Sequence, residues 1–489
     1  MGNALAACTG RLLYGSIGVK RGSVMINLDK SYVKEFEKLI ESAMNAYGAQ
    51  GIAVSIFGKD DTYYENFFGY RDTDNKLEIN EDTIFGMASI SKSFTCLALL
   101  QLVEKGVVNL DGLVSDYIPE FRGKNQKGLK LKHLMSHSGG FFPEKRVLAR
   151  DVAKEIGIWD KFDNDIAYNE ALAEEGIKII ASRLDNRAKL IGRPGELMSY
   201  SNDSYGLISD IVRRFGGCKT FSEYINENIL KPLDMTRSSL EFENPAKDEN
   251  STQLYINRDG KLEWSKDFYD NAFVLMGGGA IKSTINDLKK YTRIYFNEGR
   301  EKNGKEILGS YYIKEMQKPR QLYRFQQYYG YGLSTKFMDD ITVIGHGGSL
   351  TGVANMFQWS PELECGVIVF CNTSEFPAAS MADAAMKLAM GKDPGVYESP
   401  FVDMTLDDTA IKSATGKYIS GEGQTYEILY ENDKLTLKFS GAELNLRPVR
   451  KDIFIVQKPY ATMDLILLKD KDGKVWGIRA GGRIIPKEV

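Results

Sequence analysis

Residues 85–95 read "FGMASISKSFT", and this stretch decides how the chain is understood. Within it, Ser89-Ile90-Ser91-Lys92 places a serine three residues ahead of a lysine. On a helix that spacing puts both side chains on one face, a turn apart. A serine hydroxyl is a weak nucleophile and needs a base within reach. The tetrad is therefore either the head of an active site or an ordinary helix start. Spacing alone does not choose, because Ser31-Tyr32-Val33-Lys34 repeats it.

Context separates the two copies. "SYVKEFEKLIESAMNAYG" (31–48) carries Val33, Phe36, Leu39, Ile40, Ala43 and Met44 at helical spacing. It predicts an amphipathic surface helix with Ser31 in the N-cap region and Lys34 in solvent. "FTCLALLQLVEKG" (94–106) has few polar positions and predicts a largely buried helix ending at Gly106. Before it, "GIAVSIFGK" (51–59) and "TYYENFFGYRD" (62–72) predict two antiparallel strands around an Asp60-Asp61 turn. Ser89 thus heads a buried helix that leaves a strand-rich region, in the positive field of the helix N-terminus. Lys92 becomes a buried lysine, which is costly without a partner and a use.

A lysine that stays charged lowers the pKa of a neighbouring tyrosine, whose phenolate then takes the serine proton. Such a site wants a serine, a lysine, a tyrosine and a group that holds the substrate. Tyr200-Ser201-Asn202 supplies the last two. Tyr-x-Asn also occurs at Tyr64, Tyr224, Tyr255, Tyr269, Tyr295 and Tyr430. Only Tyr200 follows a Pro194-Gly195-Glu196 turn and precedes a clean helix start. A third element, "GHGGSLTG" (345–352), ends one strand and turns into the next. There His346 is expected to face the substrate, and Gly347 and Gly348 let the backbone come close. The N–H groups of Ser349 and Ser89 would form an oxyanion pair. His137-Ser138-Gly139 has the same His-x-Gly form but follows a helix-like segment, which favours packing.

Six blocks, "ASISKSFT", "LKHLMSHSGGF", "PGELMSYSNDSYGLISDIV", "KPLDMTRSS", "GGGAIKSTINDLKKY" and "GHGGSLTGV", occur in this order. Over about residues 35–392 they resemble the serine β-lactamase-like superfamily. The branch most similar is the group of class C β-lactamases, D-alanyl-D-alanine carboxypeptidases and D-aminopeptidases. The resemblance implies Ser89 as nucleophile, Lys92 as its activator, Tyr200 as general base and Asn202 as a ligand of the substrate amide. It places His346, Gly348 and Ser349 on the substrate-binding strand. His346 stands where class C enzymes carry the lysine of Lys-Thr-Gly, which points away from β-lactamase activity proper and towards the peptidase and esterase branches.

The fold class read from the chain is α+β: an antiparallel sheet flanked by helices with an all-helical insert. "ITVIGHGGSLTGVANMFQWSPELECGVIVFCN" (341–372) supplies three consecutive strands, and a helix follows at 378–391. After "GKDPGVYESP" (391–400) the texture changes. "TYEILYEN", "KLTLKF", "LNLRPVR", "DIFIVQK", "DLILLKD" and "KVWGIRA" are short alternating strands that predict a small antiparallel barrel. It resembles the lipocalin-like barrels appended to some of these peptidases. The expected division is a flexible lead-in over 1–24 with Met25 as functional start, a hydrolase domain over 25–392, a linker over 393–403 and a barrel over 404–489. The barrel lies outside the six blocks and is expected to supply no chemistry. Covering the active-site mouth, homo-oligomer formation and plain stabilisation remain as its uses.

Composition narrows the field. A chain of 489 residues with net charge −3 has no basic surplus for nucleic acid. No apolar run reaches the roughly 18 residues of a membrane span. Cys8, Cys96, Cys218, Cys365 and Cys371 form an odd set without zinc spacing, which suits a reducing, cytoplasmic compartment. Three histidines cannot build a two-metal cluster, so no metal or cofactor is expected. No Gly-x-Ser-x-Gly elbow marks an α/β-hydrolase. The expected activity is acyl-enzyme hydrolysis of peptide amides, including those with D-residues. An esterase or weak β-lactamase is the alternative, and a penicillin-binding sensor that acylates without turnover is a third reading.

Overall fold

The computed structural model describes residues 26–158, 170–186, 190–258, 261–265, 268–395 and 401–488. The expected lead-in over 1–24 and residues 396–400 of the expected linker lie outside the described residues.

Nine antiparallel strands form the main sheet, in the order Leu77–Glu78, Thr62–Asp72, Gly51–Phe57, Cys365–Cys371, Val353–Ser360, Ile341–Leu350, Ser334–Met338, Gln327–Tyr329 and Gln321–Arg324. The three strands Gly51–Phe57, Val353–Ser360 and Cys365–Cys371 are buried along their whole length. That is why they read as continuous apolar runs rather than alternating ones. Their side chains still divide by parity. Ile52, Val54 and Ile56 face one core with Phe36 and Ile40 of the helix Lys30–Tyr47 and Met381 and Ala385 of the helix Ala378–Ala389. Ala53 and Phe57 face the other, with Phe94 and Leu97 of the helix Ser91–Glu104 and Tyr205 and Ile208 of the helix Asn202–Phe215.

The two strands expected over 51–72 pair in antiparallel register, with Ile52 opposite Phe68. The first helix forms as expected, as Lys30–Tyr47. Asp29 is the N-cap: its carboxylate accepts from Ser31 N at 2.7 Å, so Ser31 lies inside the cap. Lys34 is exposed.

Beyond a short helix, Asp408–Ala414, eight antiparallel strands follow in sequence order from Gly416–Ile419 to Arg483–Pro486. Tyr418 bridges Lys487, and Glu488 N donates to Lys417 O at 2.7 Å, so the first and last strands meet and the barrel is nearly closed. It has its own core around Tyr418, Ile428, Leu437, Phe454, Leu465 and Ile478. The six strand-like runs in the sequence account for six of these strands. Gly416–Ile419 and Arg483–Pro486, four residues each, are too short for alternation to register.

Candidate active site

Ser89 sits in a tight turn ahead of the helix Ser91–Glu104. Ala88 before it has φ +48°, a left-handed conformation that costs a non-glycine residue on the order of 1 kcal/mol. The turn is held from both sides. Met87 N donates to Ile281 O at 2.8 Å, and Ser91 Oγ accepts from Ile281 N at 3.0 Å. The strand Ile341–Leu350 passes so close that a Cβ on Gly348 would lie 2.2 Å from Met87 O. Only glycine allows that approach.

Lys92 is 0% exposed, and its Nζ donates to Ser89 Oγ at 3.0 Å, Asn202 Oδ1 at 2.9 Å and Gly278 O at 2.6 Å. Three acceptors match the three N–H bonds of an ammonium, and none of them is a carboxylate. Burial drives its pKa well below the ordinary lysine value, and the Arg483 guanidinium pushes the same way. Gly278 belongs to the glycine-rich turn Met276–Gly278, which precedes the helix Ile285–Phe296. A Cβ on its neighbour Gly277 would lie 2.3 Å from Tyr205 O, so the turn presses directly onto the helix Asn202–Phe215.

Tyr200 ends the extended segment before that helix, whose N-cap Ser201 accepts from Ser204 N. It is 5% exposed. Burial raises its phenol pKa strongly, the nearby Tyr323 adds to the rise, and the Ser89 hydrogen bond and Arg483 oppose it. Lys92 Nζ lies 4.9 Å from the Tyr200 ring centroid. The expected residues Ser89, Tyr200, His346, Gly348 and Ser349 all line one cleft of about 450 Å³. Lys92 and Asn202 are bonded to each other beneath it.

His346 is held rather than free. Its Nδ1 meets Gly347 O at 2.6 Å and its Nε2 meets Tyr329 Oη at 2.8 Å. With Nδ1–H donating, Nε2 accepts from the tyrosine. Burial and the Lys92 charge lower its pKa to about 3, so the ring is neutral.

Several participants were not legible in the sequence. His137 has the expected packing role, but what it packs on is the site: its ring lies 4.1 Å from that of Tyr200, and its Nδ1 accepts from Ser201 N at 3.1 Å. Tyr323 and Tyr329 complete the aromatic wall. The barrel, for which covering the active-site mouth is one expected use, docks against the catalytic blocks. Tyr200 N donates to Gly482 O at 2.9 Å, Ile484 N donates to Ser199 Oγ at 3.1 Å, and Arg483 lines the cleft. The turn "GGR" (481–483) carries no local signal for this contact, which exists only because the barrel docks there.

A buried Ser–Lys–Tyr constellation between a nine-stranded antiparallel sheet and a helical region is the arrangement of a serine hydrolase. Residues 36–390 match the β-lactamase family model, and the chain belongs to that family. Serine β-lactamase-like protein LACTB, mitochondrial, of Homo sapiens is 27% identical over 333 residues, 58% of this chain and 60% of the relative. The chain thus spans less than two thirds of that protein. An octameric penicillin-binding protein homologue from Pyrococcus abyssi matches 93% of this chain and 99% of its own, with TM-score 0.65 and 27% identity. A D-stereospecific amidohydrolase from Streptomyces sp. shares the fold over 73% of this chain and 98% of its own, with TM-score 0.55 and 18% identity. Among the described residues no helix is long and apolar enough to cross a membrane.

Proposed function

We propose that the protein hydrolyses peptide amide bonds, including those of D-residues, through an acyl-enzyme on Ser89. The observation that carries this reading is the 3.0 Å contact between the fully buried Lys92 Nζ and Ser89 Oγ, which faces the cleft. Ser89 Oγ attacks the substrate carbonyl as Tyr200, having passed its own proton to the Lys92 amine, takes the serine proton as a phenolate, with Lys92 at 3.0 Å from Ser89 Oγ. The N–H groups of Ser89 and Ser349 stabilise the oxyanion. Collapse breaks the C–N bond, and the leaving amine takes the proton from Tyr200. Water then attacks the ester and returns the proton to Ser89. Asn202 uses Oδ1 on Lys92, which leaves its amide N–H groups for the substrate carbonyl.

The amidohydrolase neighbour and the neutral His346 favour amides over penicillins. A neutral ring offers no cation to a penicillin carboxylate. The described cysteines are free thiols, which suits the cytoplasmic placement. A homo-oligomer is part of the same reading, by analogy with the octameric homologue. Intact-mass detection of an adduct, with an activated ester, a D-aminoacyl amide and a β-lactam side by side, tests the proposal. Transient adducts with the ester and the amide support hydrolysis, and a persistent adduct with the β-lactam alone identifies a sensor. No adduct on Ser89 with any of the three overturns the reading.

A further inference from the structure

The active-site tyrosine has two cations beside its ring, and one of them comes from the barrel. Lys92 Nζ lies 4.9 Å from the Tyr200 centroid and the Arg483 guanidinium carbon 5.0 Å. Arg483 heads the last barrel strand and is fixed there in two ways. Its Nε meets Glu422 Oε2 at 2.5 Å and its Nη2 meets Oε1 at 3.3 Å. The adjacent Gly482 is locked to Tyr200 N, and a Cβ on Gly482 would lie 2.1 Å from the Tyr323 ring. The guanidinium side chain is 26% exposed and opens on the cleft that holds Ser89.

Other groups surround Tyr200 and Lys92, among them the Arg146 guanidinium, whose charge also lowers the Lys92 pKa. His137 and His346 are held neutral by burial and the Lys92 charge. Tyr323 and Tyr329 pack at 6.3 and 6.2 Å between ring centroids. Arg324 lines the same cleft and lies 5.0 Å from the Tyr323 ring. Glu422 is the one carboxylate among these neighbours, and it faces Arg483.

We propose that Arg483 is a positioning residue of the acid–base pair: the barrel reaches into the hydrolase cleft and supplies the second positive charge that keeps Tyr200 and Lys92 competent to take the Ser89 proton, with Glu422 setting how much of that charge is felt. The inference rests on the proposed acyl-enzyme chemistry. A cation near a phenol favours the phenolate, and a cation near an ammonium favours the amine. Arg483 therefore acts in the same direction whichever of the two accepts the proton. Burial raises the phenol pKa and Arg483 opposes part of that rise. A barrel that carries the correcting charge makes catalysis depend on its docking.

The geometry allows a test that a merely structural ion pair would fail. Arg483→Gln and Glu422→Gln break the same salt bridge, but they change the local charge in opposite senses. The rate of Ser89 acylation by p-nitrophenyl acetate is followed against pH by burst release and intact mass. Arg483→Gln is expected to move the acid limb up by about one pH unit, and Glu422→Gln to move it down by a similar amount. Arg483→Lys, which keeps the charge, is expected to leave the limb within about 0.3 units of wild type. Should Arg483→Gln not fold, Glu422→Gln and Arg483→Lys carry the comparison. Limbs that move together, or lower rates with unmoved limbs, reduce Arg483 to a docking staple and overturn the inference alone. Absence of a Ser89 adduct in the wild type overturns the proposed function and the inference with it.

Discussion

Ser31-x-x-Lys34 and Ser89-x-x-Lys92 share a spacing and little else. The first lies on an exposed helix face, where Asp29 caps the backbone and Lys34 points to solvent. The second lies at a strained turn, with its lysine 0% exposed and bonded to three oxygens from three segments of chain. The difference teaches that a serine–lysine tetrad is chemistry only when burial forces the lysine to spend its charge inside the fold. In water Lys34 interacts weakly with everything. In the core Lys92 must be satisfied, and what satisfies it is Ser89, Asn202 and Gly278, the first two of them residues of the proposed catalytic site.

The strongest way to break the comparison is to exchange the serines. Ser89→Ala is expected to abolish turnover with the fold intact, because only a small hydroxyl is lost. Ser31→Ala should keep nearly full activity. Equal behaviour in a peptidase assay would place the wrong tetrad in the site.

Next in size is the coupled pair. Tyr200→Phe and Lys92→Ala should each lower kcat by roughly 10²–10⁴, the range of general acid–base catalysis. The double variant should be little worse than either, since groups that act as one unit are not additive. Multiplied losses in steady-state kinetics would show two independent contributions.

Burial also gives the second tetrad's surroundings a pH liability that the first lacks. His346 is neutral in the fold, with its pKa lowered to about 3, while the unfolded chain protonates near pH 6.5. As pH falls below about 6.5, the unfolded state binds a proton that the native state refuses, so stability declines down to about pH 3. The slope is at most about 1.4 kcal/mol per pH unit for this group. Urea titrations at pH 7 and pH 5 should show His346→Gln losing less stability than wild type over that interval. An unchanged difference between the two pH values would mean that His346 is not held neutral.

The smallest expected effect sharpens the other half of the comparison. Asp29→Ala removes the cap of the first helix and should lower Tm by about one degree, with turnover unchanged. Any loss of activity would mean that the surface tetrad communicates with the site.

Much of the molecule follows from the order of residues. The apolar runs bounded by turns and the 3.6 period in residues 31–48 specify elements from local sterics and patterned burial, so the antiparallel strands over 51–72 were legible, and their register, Ile52 opposite Phe68, came from the structure. The six ordered blocks brought Ser89, Lys92, Tyr200 and Asn202 into view as one site, and the geometry around Lys92 joins them. The contribution of Arg483 was not legible. It stands 283 positions after Tyr200, in a four-residue strand too short to show alternation. His137 was assigned to packing without its partner for the same reason.

What the sequence alone determined is therefore the list of elements, the class of chemistry and the residue types able to perform it, because these depend on near neighbours and on period. What only the tertiary structure decided is which charges surround Tyr200. Coulomb interactions act through space over a few ångströms and take no account of separation along the chain, so the docking of the barrel, not any local pattern, places the Arg483 guanidinium 5.0 Å from the Tyr200 ring.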